Sequence, residues 1–382
     1  MKSTVEYKLK QIKDIWNNFI LDYEYCSKKI KSNRDIKSNY LGDILGYFND
    51  TIDIVFVDNY NQRYPDKFGF TISFLQAIYV HQDFIQEMLE VFKTGIEKGE
   101  LKNDPSYSIN RNIRNELVGH PIRKIEGKLI SSTLFSYQAK NDEIQYLRYH
   151  IDNNFDIESK TYKILEIQIR HREFLEKYLD IILEKLKIIL NEYLNELKKL
   201  ENVIKKGNLE TIIKLVELYF ESFFEIGYLY KRKPLTEICK RRSEHIRYER
   251  YITKFLNDLT SEIQEKRNYV REVCEPKQTI ISLQVKKKLS KIKFATTRQS
   301  VKINNEKPVK ENYIYELDKI ATRRNPSDFE FFGGMLRVKC KDNHLIINEL
   351  EHMKNNIYNE IEYYTSYNLI CEELDKEKKP NR

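Results

Sequence analysis

The chain has 382 residues, with 66 Lys and Arg against 58 Asp and Glu, for a net charge of +8. Only 11 Gly and 8 Pro leave little material for the turns of a many-stranded β protein or for a glycine-rich phosphate loop. Hydrophobic residues at 41% and charged residues at 32% fit amphipathic helices. The expected fold is therefore mainly all-α: a helical bundle with a small β-hairpin insertion, plus a second helical region.

The N-terminal stretch "MKSTVEYKLKQIKDIW" lacks the apolar core of a leader peptide. Residues 4–31 and 36–58 are amphipathic, the second interrupted by Gly42 and Gly46, and "RYPDKFG" reads as a loop. The stretch "TISFLQAIYVHQDFIQEMLEVFKTG" predicts a long helix that ends at Gly95, with Lys93 in its last turn. Its uncharged part, residues 68–80, is too short and too polar to span a bilayer, so a cytoplasmic protein without membrane attachment is expected. After a connector, Ser106 or Ser108 would cap a helix that carries "RNIRNELVGHPIRK", residues 111–124. Then "LISSTLFSYQ" and "EIQYLRYHI" flank "AKND" with the alternation of a hairpin.

From Ser159 to Lys206 the apolar positions Leu175, Leu179, Ile182, Leu186, Ile189, Tyr193, Leu197, Leu200 and Ile204 recur at spacings of three and four. That pattern predicts one helix of more than forty residues, widened by Ile181, Leu183, Ile188, Leu190 and Leu194 into a face that packs against several helices. Gly207 marks the expected boundary between a bundle over 1–206 and a helical region over 207–382. The latter contains a basic segment, 277–310, with ten Lys/Arg against Glu306 alone. Such a block suits RNA or DNA, and Lys286, Lys287, Lys288, Lys291 and Lys293 are the residues expected to meet phosphates; a solvated charged loop is the other reading. Beyond it, "ELEHMKNNIYNEIEYYTSYNLICEEL" predicts another amphipathic helix. The five cysteines, Cys26, Cys239, Cys274, Cys340 and Cys371, include no C-x-x-C pair and read as reduced thiols. No residues are spaced to hold a metal, and no cofactor is implied.

In the stretch at 111–124, Arg114 and His120 are a natural pair for cutting RNA. A neutral imidazole can take the proton of a ribose 2′-OH, and a guanidinium can hold the phosphate and offset its developing charge. Six positions of a regular helix set the two side chains about 120° apart, however. Either Gly119 and Pro121 unwind the helix end, or the site is completed where two copies of the motif meet. Glu116, four residues before His120, is placed to orient it. Tyr137, Tyr146 and His150 could stack on bases or simply pack. The bland alternative for the whole stretch is a helix stop made by Gly-His-Pro beside ordinary surface residues.

Arg-Asn, a short helical spacer and His-Pro at a helix end resemble the R-x(4–6)-H signature of HEPN domains, over roughly residues 35–206. The resemblance implies a metal-independent endoribonuclease of a toxin or defence system. Arg114 and His120 match the signature residues, and Asn115 the polar residue that commonly follows the Arg. It also implies a homodimer with both motifs facing one cleft. The partners on this reading are RNA, a second copy of the chain, and an antitoxin or regulatory protein. A non-catalytic HEPN-like scaffold for RNA or protein is the alternative. A second formal match, Arg337 to His344, lacks the Asn and the His-Pro ending and reads as coincidence.

Overall fold

The computed structural model describes residues 2–30, 39–57, 64–97, 99–135, 140–225, 230–274 and 313–377. The chain divides into two compact units, Met1–Lys198 and Lys199–Arg382. The division thus falls inside the last turns of the longest helix, before Gly207.

The first unit is built from α1 (Lys2–Ile15), a π-helical turn at Trp16–Ile20, α2 (Glu24–Ser27), α3 (Tyr40–Val55), α4 (Tyr64–Val91), α5 (Pro105–Arg114) and most of α6 (Ile164–Lys206). The predicted long helix is real. Its stripe Leu175, Leu179, Ile182, Leu186, Ile189, Tyr193 and Leu197 is buried, although Ile188 is 53% exposed rather than part of the widened face. Against α6, Tyr193 stacks on Tyr23 with ring centroids 5.2 Å apart, and Lys8 of α1 pairs with Asp180 at 2.7 Å. Two histidines lie at the centre of the unit. His81 of α4 and His171 of α6 are wholly buried, with Nδ1 of the first 3.1 Å from Nε2 of the second.

Between α5 and α6 lies a four-stranded antiparallel sheet, larger than the expected hairpin: β1 (Ile122–Ile125), β2 (Lys128–Leu134), β3 (Glu143–Tyr149) and β4 (Ile157–Lys163), in that order. The expected pairing of the two hairpin strands is present, with Ser131 opposite Tyr149 and Leu134 opposite Tyr146. Glu126 and Gly127, at φ of 49° and 77°, make the two-residue turn between β1 and β2, where both positions need positive φ. Residues 157–163 are strand, so the long helix begins at Ile164 and not at Ser159. Ile130, Ser132, Ile144, Tyr146 and Arg148 project from one buried face of the sheet.

The second unit holds α7 (Leu209–Tyr219), α8 (Arg232–Lys240), α9 (Ile246–Cys274), α10 (Ile314–Thr322), α11 (Pro326–Lys339), α12 (His344–Asn355) and α13 (Glu360–Glu377). The single helix expected near the C-terminus is two, α12 and α13, broken at 356–359. Phe329, Leu336, Ile346, Met353, Tyr363 and Ile370 form part of this unit's core. Beside it Glu362 accepts hydrogen bonds from Arg241, Tyr248 and His352, which hold its carboxyl down at about 2 against the opposing effect of burial. No helix among the described residues is long and apolar enough to cross a membrane.

Candidate active site

The helix carrying the Arg-Asn pairs is anchored before it reaches them. Asp104, not Ser106 or Ser108, caps α5: its Oδ1 accepts from the Ser106 backbone N–H at 2.8 Å, and Pro105 follows at the first helical position. The other oxygen, Oδ2, accepts from Lys177 Nζ at 2.6 Å and Tyr178 OH at 3.0 Å on α6. Burial would raise this carboxyl, but these bonds outweigh it and hold it at about 2. One turn and a half later the buried Asn110 donates to the Ile167 carbonyl at 3.0 Å and accepts from Arg170 Nε at 3.1 Å. Two polar ties therefore fix α5 against α6.

On the same helix, Arg111 and Arg114 lie against α4. Both guanidinium carbons lie over the Tyr79 ring, 3.5 and 3.7 Å from its centroid. Their electrostatic partners differ. Arg111 pairs with Asp83 at 2.7 Å, so its charge is neutralised within the fold. Arg114 instead gives Nε and Nη2 to Gln76 Oε1, at 3.2 and 2.9 Å, and Nη1 to Asn115 Oδ1 at 3.2 Å. Both acceptors are neutral amides. Among the described residues Arg114 has no carboxylate partner, so its positive charge is held in position without being cancelled.

After Arg114 the helix loosens into a π-helical turn, Asn115–Gly119, closed by the His120 N–H donating to the Asn115 carbonyl at 2.8 Å. Such single turns add one residue to the helical loop and alter which side chains share a face. Leu117 is buried and roots the turn. Gly119 lies so close to Arg114 that a Cβ on it would sit 2.7 Å from Nη1. The guanidinium thus folds forward onto the residue preceding His120. Pro121 is held in turn, its carbonyl accepting from the Ser132 N–H of β2 at 2.7 Å. His120 therefore has a fixed backbone and an exposed imidazole, which makes no hydrogen bond among the described residues.

Glu116 does not act on His120. Its carboxylate turns to the sheet, where it accepts from Ser132 Oγ at 2.9 Å, Tyr146 OH at 3.1 Å and Arg148 Nε at 2.6 Å. Burial works against the charge, yet these donors keep the carboxyl below its ordinary range. Arg148 also reaches Glu158 and Asp152, each at 2.9 Å. Glu116 is thus the clamp between the π-helical turn and the sheet. Tyr146, fully buried, and His150, whose Nδ1 accepts from the Asp152 N–H, are packing and capping residues, not surfaces for bases. Tyr137 lies outside the described residues, as does the basic segment with Lys286, Lys287, Lys288, Lys291 and Lys293. Arg337 is paired with Glu351, and His344 opens α12.

Sequence reasoning missed Gln76, Tyr79 and Asp83. The only signal was their spacing of three and four on one helical face, and nothing in it points to an arginine 28 to 38 residues away. No family model matches the chain, and neither a curated protein nor a solved structure does.

Proposed function

We propose that the chain is a metal-independent endoribonuclease of the HEPN type, in which Arg114 and His120 act on the scissile phosphate. The observation that carries this reading is the arginine pair: of two guanidinium groups over one tyrosine ring, only Arg114 is held by neutral amides, and it lies against the residue that precedes an exposed histidine. A cation fixed but not neutralised costs stability unless an anion completes it.

In the proposed reaction the His120 imidazole takes the proton of a ribose 2′-OH, the 2′-oxygen attacks the adjacent phosphorus, and the P–O5′ bond breaks. The departing 5′-oxygen takes up a proton, which a second His120 across a two-fold axis would supply. Arg114 offsets the charge that gathers on the non-bridging oxygens. Asn115 and Gln76 are positioning residues for Arg114, and Glu116 is one for the turn. Purified protein should cut RNA in EDTA, leave 2′,3′-cyclic phosphate and 5′-hydroxyl ends, and spare DNA; a magnesium requirement, or equal cutting of DNA, would contradict the reading.

A scaffold that binds RNA or protein without cutting is the second reading. Its support is Glu116, which is committed to Arg148 and so leaves the imidazole of His120 unoriented by a carboxylate. Tight RNA binding without cyclic-phosphate products would favour it.

A further inference from the structure

Helix α11 is apolar on two sides. Phe329, Phe332, Gly333 and Leu336 face the core of the second unit. Phe331, Met335 and Val338, spaced i, i+4 and i+7, make a second stripe within about 60° of arc on the other side. They are 64%, 38% and 74% exposed. The stripe continues onto α10: the Tyr315 ring is 5.8 Å from Phe332, which is 5.0 Å from Phe331, and Ile314 is also exposed. Five of the eight exposed large hydrophobic residues described in this unit are thus gathered on two adjacent helices.

The charges beside the stripe indicate what covers it. Glu330 and Arg337 lie on one flank, two helical turns apart, with the midpoint of the pair close to the midpoint of the stripe. A two-fold axis through that point sets a second α11 antiparallel to the first and keeps equal flanks together. Glu330 of each copy then meets Arg337 of the other. Within one chain Glu330 pairs with Lys354 at 2.9 Å and Arg337 pairs with Glu351. These are exposed bridges of small worth, and the pairing extends them into a row of alternating sign. Gly334, near the axis, has nothing within 4 Å of where a Cβ would be, so a facing helix can come close. We infer that α11 is a homodimerisation helix, pairing antiparallel with α11 of a second copy through Phe331, Met335 and Val338.

This interface is in the second unit and is separate from the His120 dyad proposed above: a dimer held at His120 alone would survive both charge reversals and give no Met335→Cys cross-link, so the two are told apart. The test uses the full chain in light scattering across a concentration series. Glu330→Arg alone and Arg337→Glu alone place like charges opposite one another, and each should weaken dimerisation at least ~tenfold. The two together restore opposite charges and should restore the dimer. A Met335→Cys variant should form a disulfide-linked dimer under mild oxidation, and lose it when either charge is reversed. All three positions are exposed, and circular dichroism checks that the fold is kept. A wild-type monomer at tens of micromolar, or a dimer indifferent to both single reversals, would overturn the proposal.

Discussion

Gly119 is required by its neighbour, not by its own backbone. The positive-φ glycines among the described residues are Gly95 and Gly127, whereas Gly119 matters because Arg114 Nη1 fills the space where a side chain would begin. Gly119→Ala should therefore push the guanidinium away from Gln76 and Asn115. Since a displacement near 1 Å can lower a catalysed rate by about 10²-fold, RNA cleavage should fall by that order while the melting temperature changes little. Gly46→Ala is the control: a Cβ there meets nothing within 4 Å, and in the helix it should stabilise by about 0.5–1 kcal/mol. Cleavage by Gly119→Ala at the normal rate would show that Arg114 does not need its observed position. At this scale the sequence displayed the candidate pair but not its support, because Gln76, Tyr79 and Asp83 arrive from another helix.

At the scale of elements, what was legible followed the strength of each periodic signal. The 43-residue α6 announces itself through a stripe that is actually buried. The edge strand β4, "IESKTYK", alternates exposed and half-buried residues without a strong apolar face, so its sequence does not separate it from the helix that follows. Likewise "IRKI" is too short to signal a strand before its partner is known. The sheet bears on the proposed site because Glu116 joins it to the π-helical turn. Glu116→Ala removes one partner from the buried Arg148 and should destabilise the protein by about 2 kcal/mol, measured by urea unfolding. Because its carboxyl is held below the ordinary range, the stabilisation is complete above that range and is lost as pH falls through the native value. The histidine pair acts in the same direction. Burial pushes His81 down to about 3, and burial together with the neighbouring His81 holds His171 well below the ordinary histidine range. The native pair stays neutral while unfolded histidine takes a proton below about 6.5, so stability should drop by about 1.4 kcal/mol per pH unit for each histidine under acidification. His171→Leu should flatten the slope between pH 6 and 4 in denaturant titrations; an unchanged slope would mean that the pair is not the acid-sensitive element.

For the whole molecule, the question is whether the two units share one task. Composition and charge predict a helical, bipartite chain with its boundary at Gly207, whereas the division lies a few residues earlier, inside the last turns of α6. The basic segment 277–310 belongs to the second unit's sequence, and the proposed cleavage motif to the first. If the segment holds RNA, changing Lys286, Lys287, Lys288, Lys291 and Lys293 to Gln should weaken binding for every sequence alike. Each lysine–phosphate pair removed should lower the slope of log affinity against log salt by about 0.7, with the rate at saturating RNA nearly unchanged. An unaltered salt slope would mean that RNA is held elsewhere. The central claim, that Arg114 and His120 make this chain a ribonuclease, is met most directly by single-turnover cleavage at saturating RNA in EDTA. Wild type is expected to cut, and Arg114→Ala and His120→Ala, each folded as judged by circular dichroism, are expected to show no cleavage above background. Cutting by either variant at the wild-type rate, or none by the wild type itself, would contradict the account.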